Sequence, residues 1–130
     1  MNQNFNKLLN SLASLGYDIS KQVPEEQIII LNDETKGLAN TFLNCTGSLL
    51  IIEQYICKLN TPSLDTLLSL LKMNRKTIHG AFAIDEKNEN IVFRDTLQLD
   101  NLDSNEIQAS LNSIGLVLAE NVDQLILISK

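Results

Sequence analysis

The residues that could support nucleophilic or metal chemistry are few and widely spaced. The chain contains one histidine, His79, and two cysteines, Cys45 and Cys57. A zinc site needs four ligands at closer spacing, and neither cysteine belongs to a CxxC pair, so we expect no metal site. Both cysteines lie in apolar segments, which favours buried, reduced thiols. His79 falls on the strand face opposite Phe82, which predicts a surface position rather than a catalytic base.

Other patterns that carry catalysis are missing from the sequence. The five glycines are scattered rather than clustered before a helix, and there is no GxSxG or HExxH motif. The acidic pairs Glu25-Glu26 and Asp33-Glu34 flank predicted strands, where solvated loop carboxylates are expected. Lys72, Arg75 and Lys76 end a predicted helix and suit its dipole, although docking of an acidic partner is the alternative. We therefore predict a protein that is not an enzyme and uses no cofactor.

Composition restricts the class of protein further. The chain has 130 residues, 44% of them hydrophobic, with 16 acidic and 10 basic side chains and a formal charge of −6. This predicts one globular domain over residues 1–130 and disfavours binding to nucleic acid or to an anionic membrane. No wholly apolar run, such as Ile28–Leu31 or Leu49–Ile52, exceeds four residues, whereas a membrane helix needs about 20. The N-terminus lacks a secretory signal, so a cytoplasmic protein with no membrane insertion is expected.

The first half of the chain predicts a helix and three strands. Phe5, Leu8 and Leu12 recur at helical spacing, and Gly16 follows as a stop. The β-branched segment Gln27–Asn32 is typical of a strand. Two further apolar runs, 38–45 and 48–57, are separated by Thr46-Gly47 and predict a hairpin. Polar Glu53 and Gln54 in the second run indicate that its far half is exposed on at least one face.

The second half predicts a helix, a second hairpin and a long helix. Thr61-Pro62 is expected to open the second helix, whose predicted buried stripe is Leu64, Leu67, Leu68 and Leu71. Alternating residues predict strands near 78–84 and 91–99, joined by the turn 85–90. Asp103 caps the third helix, whose predicted buried stripe is Ile107, Leu111, Ile114, Leu118, Val122 and Leu125. Because this helix is apolar on further sides, we expect a homodimer interface at Leu116, Val117 and Ala119.

These elements predict an α+β fold. The expected order is α-β-β-β-α-β-β-α, with a mainly antiparallel five-stranded sheet covered by helices on one face.

The middle of the chain resembles a known family. Two segments carry the resemblance: Leu67-Leu68-Ser69-Leu70-Leu71-Lys72-Met73-Asn74 and, after it, Gly80-Ala81-Phe82-Ala83-Ile84-Asp85. They are similar to the type III secretion chaperone-like superfamily, whose members share an "LL..N" helix end and a "G.F.ld" strand. Ile91-Val92-Phe93-Arg94 and Leu97-Gln98-Leu99 continue the pattern, which the YbjN-like bacterial proteins share. The resemblance implies the fold over residues 1–130 and a non-enzymatic, homodimeric chaperone that holds a segment of a client or effector protein. A YbjN-like regulatory or accessory role in bacterial signalling or stress response is the alternative.

The first three predicted strands supply the candidate partner-binding residues. An extended client segment could place apolar side chains between those of the sheet or add a strand to its edge. The candidates are Ile28, Ile30, Leu38, Phe42, Leu49 and Ile51. Each of them could instead belong to the core beneath the first helix.

Overall fold

A computed structural model describes residues 2–60 and 62–130, in which three helices and six strands follow one another. Their order is α1 (Asn2–Ser14), β1 (Ile19–Val23), β2 (Ile28–Asp33), β3 (Leu38–Thr46), β4 (Leu49–Lys58), α2 (Leu64–Lys76), β5 (Ala81–Ile84), β6 (Asn90–Gln98) and α3 (Ser104–Ser129). Short 3-10 turns at Pro24–Glu26 and Glu34–Lys36 connect β1 to β2 and β2 to β3. The α+β class is confirmed.

The strands form one antiparallel sheet in the spatial order β1-β2-β3-β4-β6-β5. Both predicted hairpins are present: Thr46 pairs with Leu49 at the β3–β4 turn, and β5 pairs with β6. The prediction of five strands was wrong, because β1 was missed, and the predicted element order lacks the same strand. In β1 the polar residues Ser20, Lys21 and Gln22 are all exposed, and a bulge interrupts its pairing with β2. An edge strand with a bulge shows no regular apolar alternation to detect.

All three helices pack on one face of the sheet. Alternate strand residues such as Ile29, Leu43, Ile52 and Phe93 are fully or almost fully buried. They belong to a single apolar cluster that also contains the buried side chains of the helices: Phe5, Leu8 and Leu12 of α1, Leu70 and Met73 of α2, and Ile107, Leu111 and Ile114 of α3. The opposite face of the sheet therefore carries the other half of each strand's side chains.

Helix α2 is rotated relative to its predicted orientation. Its buried residues are Leu70 and Met73, whereas the four leucines of the predicted stripe are exposed. The leucines and Met73 together cover more than half of the helix circumference, so periodicity alone could not identify the side that packs. The helix begins at Leu64, and the hydroxyl of Ser63 accepts a hydrogen bond from the Thr66 backbone N–H. Thr61, the predicted cap, lies outside the described residues.

Helix α3 contains a break at Asn121, whose φ of −120° and ψ of 15° are not helical. Before the break, the predicted stripe Ile107, Leu111 and Ile114 is buried. After it, Val122 is half-exposed, so its predicted burial was wrong, while Leu125 is buried.

Helix α3 is long and apolar enough to cross a membrane by length and composition, and 33% of its most apolar stretch is buried inside the fold. The core helix of a soluble protein can have the same properties.

Gln54 is buried, at 3% exposure, while Tyr55 on the other face of β4 is exposed, so the far half of this strand is exposed on one face, as predicted. The pairing of β3 with β4 runs only from Thr46–Leu49 to Phe42–Glu53, and beyond it the Gln54 side chain connects the two strands. Its Oε1 accepts hydrogen bonds from the Ala39 N–H and the Thr41 hydroxyl, and its Nε2 donates to the Gly37 carbonyl at 3.1 Å. One amide group thus replaces the missing backbone ladder.

Gly37 and Gly115 allow the turn before β3 to touch α3. A Cβ on Gly115 would lie 2.5 Å from the carbonyl oxygen of Lys36, and a Cβ on Gly37 would lie 2.7 Å from the Cα of Gly115. No side chain fits between the two backbones, so this contact fixes the position of α3 over the sheet.

Candidate protein-binding surface

The sheet face opposite the helices carries most of the predicted partner-binding residues. Ile28, Ile30, Phe42 and Ile51 all lie on this face and are partly exposed. Ile30 is directly opposite Phe42, and Ile28 and Ile51 lie on either side of Asn44 in the same cross-strand row. With Leu49, which is exposed at the β3–β4 turn, they form a contiguous patch that we call the sheet patch.

An ion pair borders the sheet patch, and the polar residue Asn44 lies within it. Arg94 and Glu53 are cross-strand neighbours and form an ion pair of 3.1 Å beside Phe42. The Asn44 amide donates to the carbonyls of Glu26 and Gln27 at 2.9 and 3.1 Å, so it is occupied within the chain. The patch therefore offers apolar side chains for contact, with one ion pair at its border.

Leu38 does not belong to the sheet patch. It is only 1% exposed and lies in the core. Alternation from Phe42 would place Leu38 on the outer face, but Asn40 has a positive φ of 46° and the β2–β3 register shifts next to it. This irregularity turns Leu38 inward, so it cannot contact a partner in this conformation.

The predicted dimer residues of α3 are divided between two environments. Leu116 is 59% exposed and Ala119 is also exposed, but Val117 is only 6% exposed and packs in the core of its own chain. Val117 is therefore unavailable for a subunit contact.

A second exposed apolar surface lies on α2 and was missed as a surface. It consists of Leu64, Leu67, Leu68 and Leu71, which we call the leucine stripe. Leu64 is 72% and Leu71 is 64% exposed. An apolar groove of about 330 Å³ runs beside the stripe between α2 and β5. The signal in the sequence is the number of leucines, which exceeds what one packed side of a short helix can bury.

The two cysteines and the histidine lie apart from one another in the fold: Cys45 on β3, Cys57 on β4 and His79 just before β5. Burial raises the pKa of both the Cys45 and the Cys57 thiols, which is the opposite of what a nucleophilic thiolate needs. Within residues 2–60 and 62–130, no group of three or more His, Cys, Asp or Glu side chains could hold a metal ion. His79 is partly buried, and its backbone carbonyl accepts a hydrogen bond from the Ser113 hydroxyl at 2.8 Å.

A groove of about 670 Å³ lies between the end of α2, the middle of α3 and the turn at Gly37. Lys76 and Glu120 line its rim, and both are exposed. In the part of the chain that the structure describes, no buried side-chain nitrogen or oxygen lacks a hydrogen-bond partner. The groove therefore presents no buried polar group that awaits a ligand.

Comparisons with known proteins point to one superfamily. The family model CesT_Tir_1 matches residues 1–130. The structure of YbjN, a candidate transcription regulator from E. coli, superimposes with a TM-score of 0.72 at 13% identity, covering 95% of this chain and 94% of that chain. The Yersinia pestis type III secretion chaperone SycH, solved in complex with a stable fragment of YscM2, gives a TM-score of 0.60 at 14% identity, covering 98% and 100%. No sequence among the curated proteins matches.

Proposed function

Since this chain belongs to the CesT_Tir_1 family of type III secretion chaperones, we propose that it is a small, acidic, non-enzymatic chaperone that holds an extended segment of a client protein. The family match over the whole chain is the observation that carries this proposal. SycH shares the fold and binds a fragment of another protein, which supports a polypeptide as the ligand here too. We expect it to act in the cytoplasm, without a cofactor and without binding nucleic acid.

The sheet patch is the surface that we assign to the client. In an extended segment, alternate side chains point to the same side, as they do along the strands beneath it. Ile28 and Ile30 stand two residues apart on β2, and Phe42 and Ile51 extend the patch across β3 and β4. A client segment with alternating apolar side chains would bury this surface, at a gain of roughly 25 cal/mol per Å² of apolar area.

We assign the leucine stripe to a second copy of the chain. Asp65 and Lys72 lie on the same flank of α2, one near each end of the stripe. When two copies of a helix pack antiparallel about a two-fold axis, Asp65 of one copy lies beside Lys72 of the other. This charge complementarity favours self-association, and the same packing covers the exposed leucines. Leu116 and Ala119 of α3 are the alternative dimer surface, with Val117 excluded by its burial.

A regulatory or accessory role of the YbjN-like kind is the second candidate. The observation that favours it is the closer structural similarity to YbjN, with a TM-score of 0.72 against 0.60 for SycH. Such a protein would bind a folded partner through a compact interface rather than an extended segment.

The client experiment uses the purified full-length chain as bait in the native host, followed by light scattering on the recovered complex. The sheet patch is tested by Ile30→Ser and Phe42→Ser, with Leu127→Ser, which removes an exposed leucine far along α3, as the matched control. The chaperone proposal expects a partner that is lost with both patch variants, kept by the control, and rapidly hydrogen-exchanging outside its bound segment. A partner that is folded throughout would support the regulatory candidate instead. A partner retained by both patch variants contradicts the assignment of the sheet patch.

The dimer experiment compares Leu71→Glu on α2 with Leu116→Glu on α3 by size-exclusion chromatography with light scattering. Both side chains are exposed within one chain, so neither change should disturb the fold of a single subunit. Since an unpaired buried charge costs several kcal/mol, the variant that lies in the interface should become monomeric. We expect that result for Leu71→Glu alone. Monomers with Leu116→Glu alone would transfer the interface to α3.

A further inference from the structure

The outer edge of β5 is closed by side chains rather than by another strand. In the sheet order, β5 is a terminal strand, with β6 on one side only. Phe82 is the Cα partner of Phe93, and its backbone N–H and C=O both bond to Asn74 of α2. Its N–H donates to Asn74 Oδ1 at 2.6 Å, and its carbonyl accepts from Asn74 Nδ2 at 3.1 Å.

The neighbouring carbonyls on this segment are occupied as well. The Thr77 hydroxyl lies 2.9 Å from the carbonyl of Gly80, the residue immediately before β5. The Ser113 hydroxyl bonds the carbonyl of His79. Three side chains from α2, its following loop and α3 therefore satisfy backbone groups over residues 79–82.

We propose that Asn74 acts as a substitute strand that prevents a second copy of this chain from pairing with β5. A primary amide offers a carbonyl oxygen and an N–H in the arrangement of a peptide group, so it can satisfy both groups of Phe82 at once. An unprotected terminal strand presents its N–H and C=O groups to any other strand, and natural proteins block such edges. The edge of β5 has little charge of its own, because Ala81, Phe82, Ala83 and Ile84 are all apolar. Without Asn74, the most accessible partner is the identical edge of another copy, which can pair antiparallel about a two-fold axis.

This proposal does not depend on the proposed chaperone function. It concerns the backbone of one edge of the sheet, whereas the sheet patch lies on the sheet face. The leucine stripe adjoins this edge, because Leu67 and Leu71 line the same groove as Phe82. It also accounts for the asparagine and the glycine of the sequence motif: Asn74 binds the edge, and Gly80 has a φ of +80° with no space for a side chain beside Phe93.

The test compares Asn74→Ala with Asn74→Asp in the 130-residue chain. Alanine removes both hydrogen bonds and leaves the edge uncharged. Aspartate keeps an acceptor for the Phe82 N–H and places a negative charge at the edge, which repels a second copy. Ser113→Ala is the control, because it removes a nearby hydrogen bond without uncovering Phe82.

We expect Asn74→Ala to exceed the wild-type particle mass in light scattering, in a concentration-dependent way, while Asn74→Asp and Ser113→Ala keep the wild-type mass. Adding Ile84→Lys to Asn74→Ala should restore the wild-type mass, because a lysine on the edge opposes strand pairing. Equal association of the alanine and aspartate variants would overturn the proposal, since general destabilisation would then explain both.

A measurement on the unaltered protein covers the case in which Asn74→Ala does not fold. The Phe82 amide should be protected from hydrogen exchange by NMR, at least about tenfold relative to an unbonded amide, as expected for one hydrogen bond. An unprotected Phe82 amide would overturn the proposal without any substitution.

Discussion

Replacing Gln54 with methionine should destabilise the fold substantially, because three groups lose their partner at once. Methionine has a similar length and volume but no amide, so the Thr41 hydroxyl, the Ala39 N–H and the Gly37 carbonyl are left without their hydrogen bonds. Thr41 is fully buried, and an unsatisfied buried group costs about 1–3 kcal/mol. The other two are partly buried and contribute about 1 kcal/mol each. The free energy of unfolding should fall by about 3–5 kcal/mol.

Urea unfolding followed by far-UV circular dichroism measures this loss, at one fixed protein concentration because association would shift the midpoint. Gln98→Met, at an exposed position of β6, is the matched control and should lie within about 0.5 kcal/mol of wild type. A double-mutant cycle with Thr41→Val isolates the Thr41–Gln54 bond, and we expect a coupling of about 1–3 kcal/mol. Gln54→Met that behaves like the control, or a coupling near zero, would refute the role of this amide as a replacement for the ladder.

Three further predictions concern the turns and the helix contact. Gly115→Ala gains about 1 kcal/mol of helix propensity, but its Cβ is forced against the Lys36 carbonyl, and such overpacking costs about 1–3 kcal/mol. We therefore expect a lower urea midpoint for unfolding, and a higher midpoint would contradict the contact between Gly115 and the Lys36 carbonyl. Gly80→Ala should lower the free energy of unfolding clearly more than Gly16→Ala in the same assay. Both positions have a positive φ (+80° and +83°), but only at Gly80 does the added Cβ lie 2.6 Å from the Phe93 ring. Equal losses would leave backbone strain alone as the cause. Hydrogen bonds from the Glu89 N–H, and then from the Asn90 side chain and N–H, hold the pKa of Asp85 below its usual value. The stabilisation from Asp85 is therefore present above the unfolded pKa of about 3.9 and is lost as the pH falls through the folded pKa. In Asp85→Asn the free energy of unfolding should fall less steeply at acid pH, and an unchanged pH dependence would argue against this turn as its source.

The elements with strong periodicity were predicted well from sequence. The hairpin turn at Thr46-Gly47 and the α1 side chains Phe5, Leu8 and Leu12 carry their own local signals, because turn chemistry and helical spacing are readable in short windows. The α+β class follows from such elements. Strand β1 has no comparable signal, because its central residues are polar and its pairing depends on β2.

The features that depend on tertiary contact were not predictable. Which side of α2 packs is decided by β5 and α3, so Leu70 and Met73 were buried in place of the expected stripe. The inward turn of Leu38 depends on the positive φ of Asn40, and sequence alternation alone could not reveal it. For the binding surface, Ile28 and Ile30 share a face because they lie two residues apart on a strand, but whether that face met helices or solvent required the whole fold.

The junction of β4 and β6 shows how the chain is organised as modules. Lys58, at the end of β4, pairs directly with Asn90, at the start of β6, and the Leu59 N–H donates to the Glu89 carbonyl at 2.7 Å. Residues 59–89, which include α2 and the edge strand β5, therefore connect two residues that are paired with each other, as an insertion in a hairpin does. Because its two ends are anchored side by side, this insertion can change in length or sequence without altering the register of β1 to β4. Residues 59–89 thus carry both the leucine stripe and the contact of Asn74 with Phe82, whereas β2, β3 and β4 present the sheet patch.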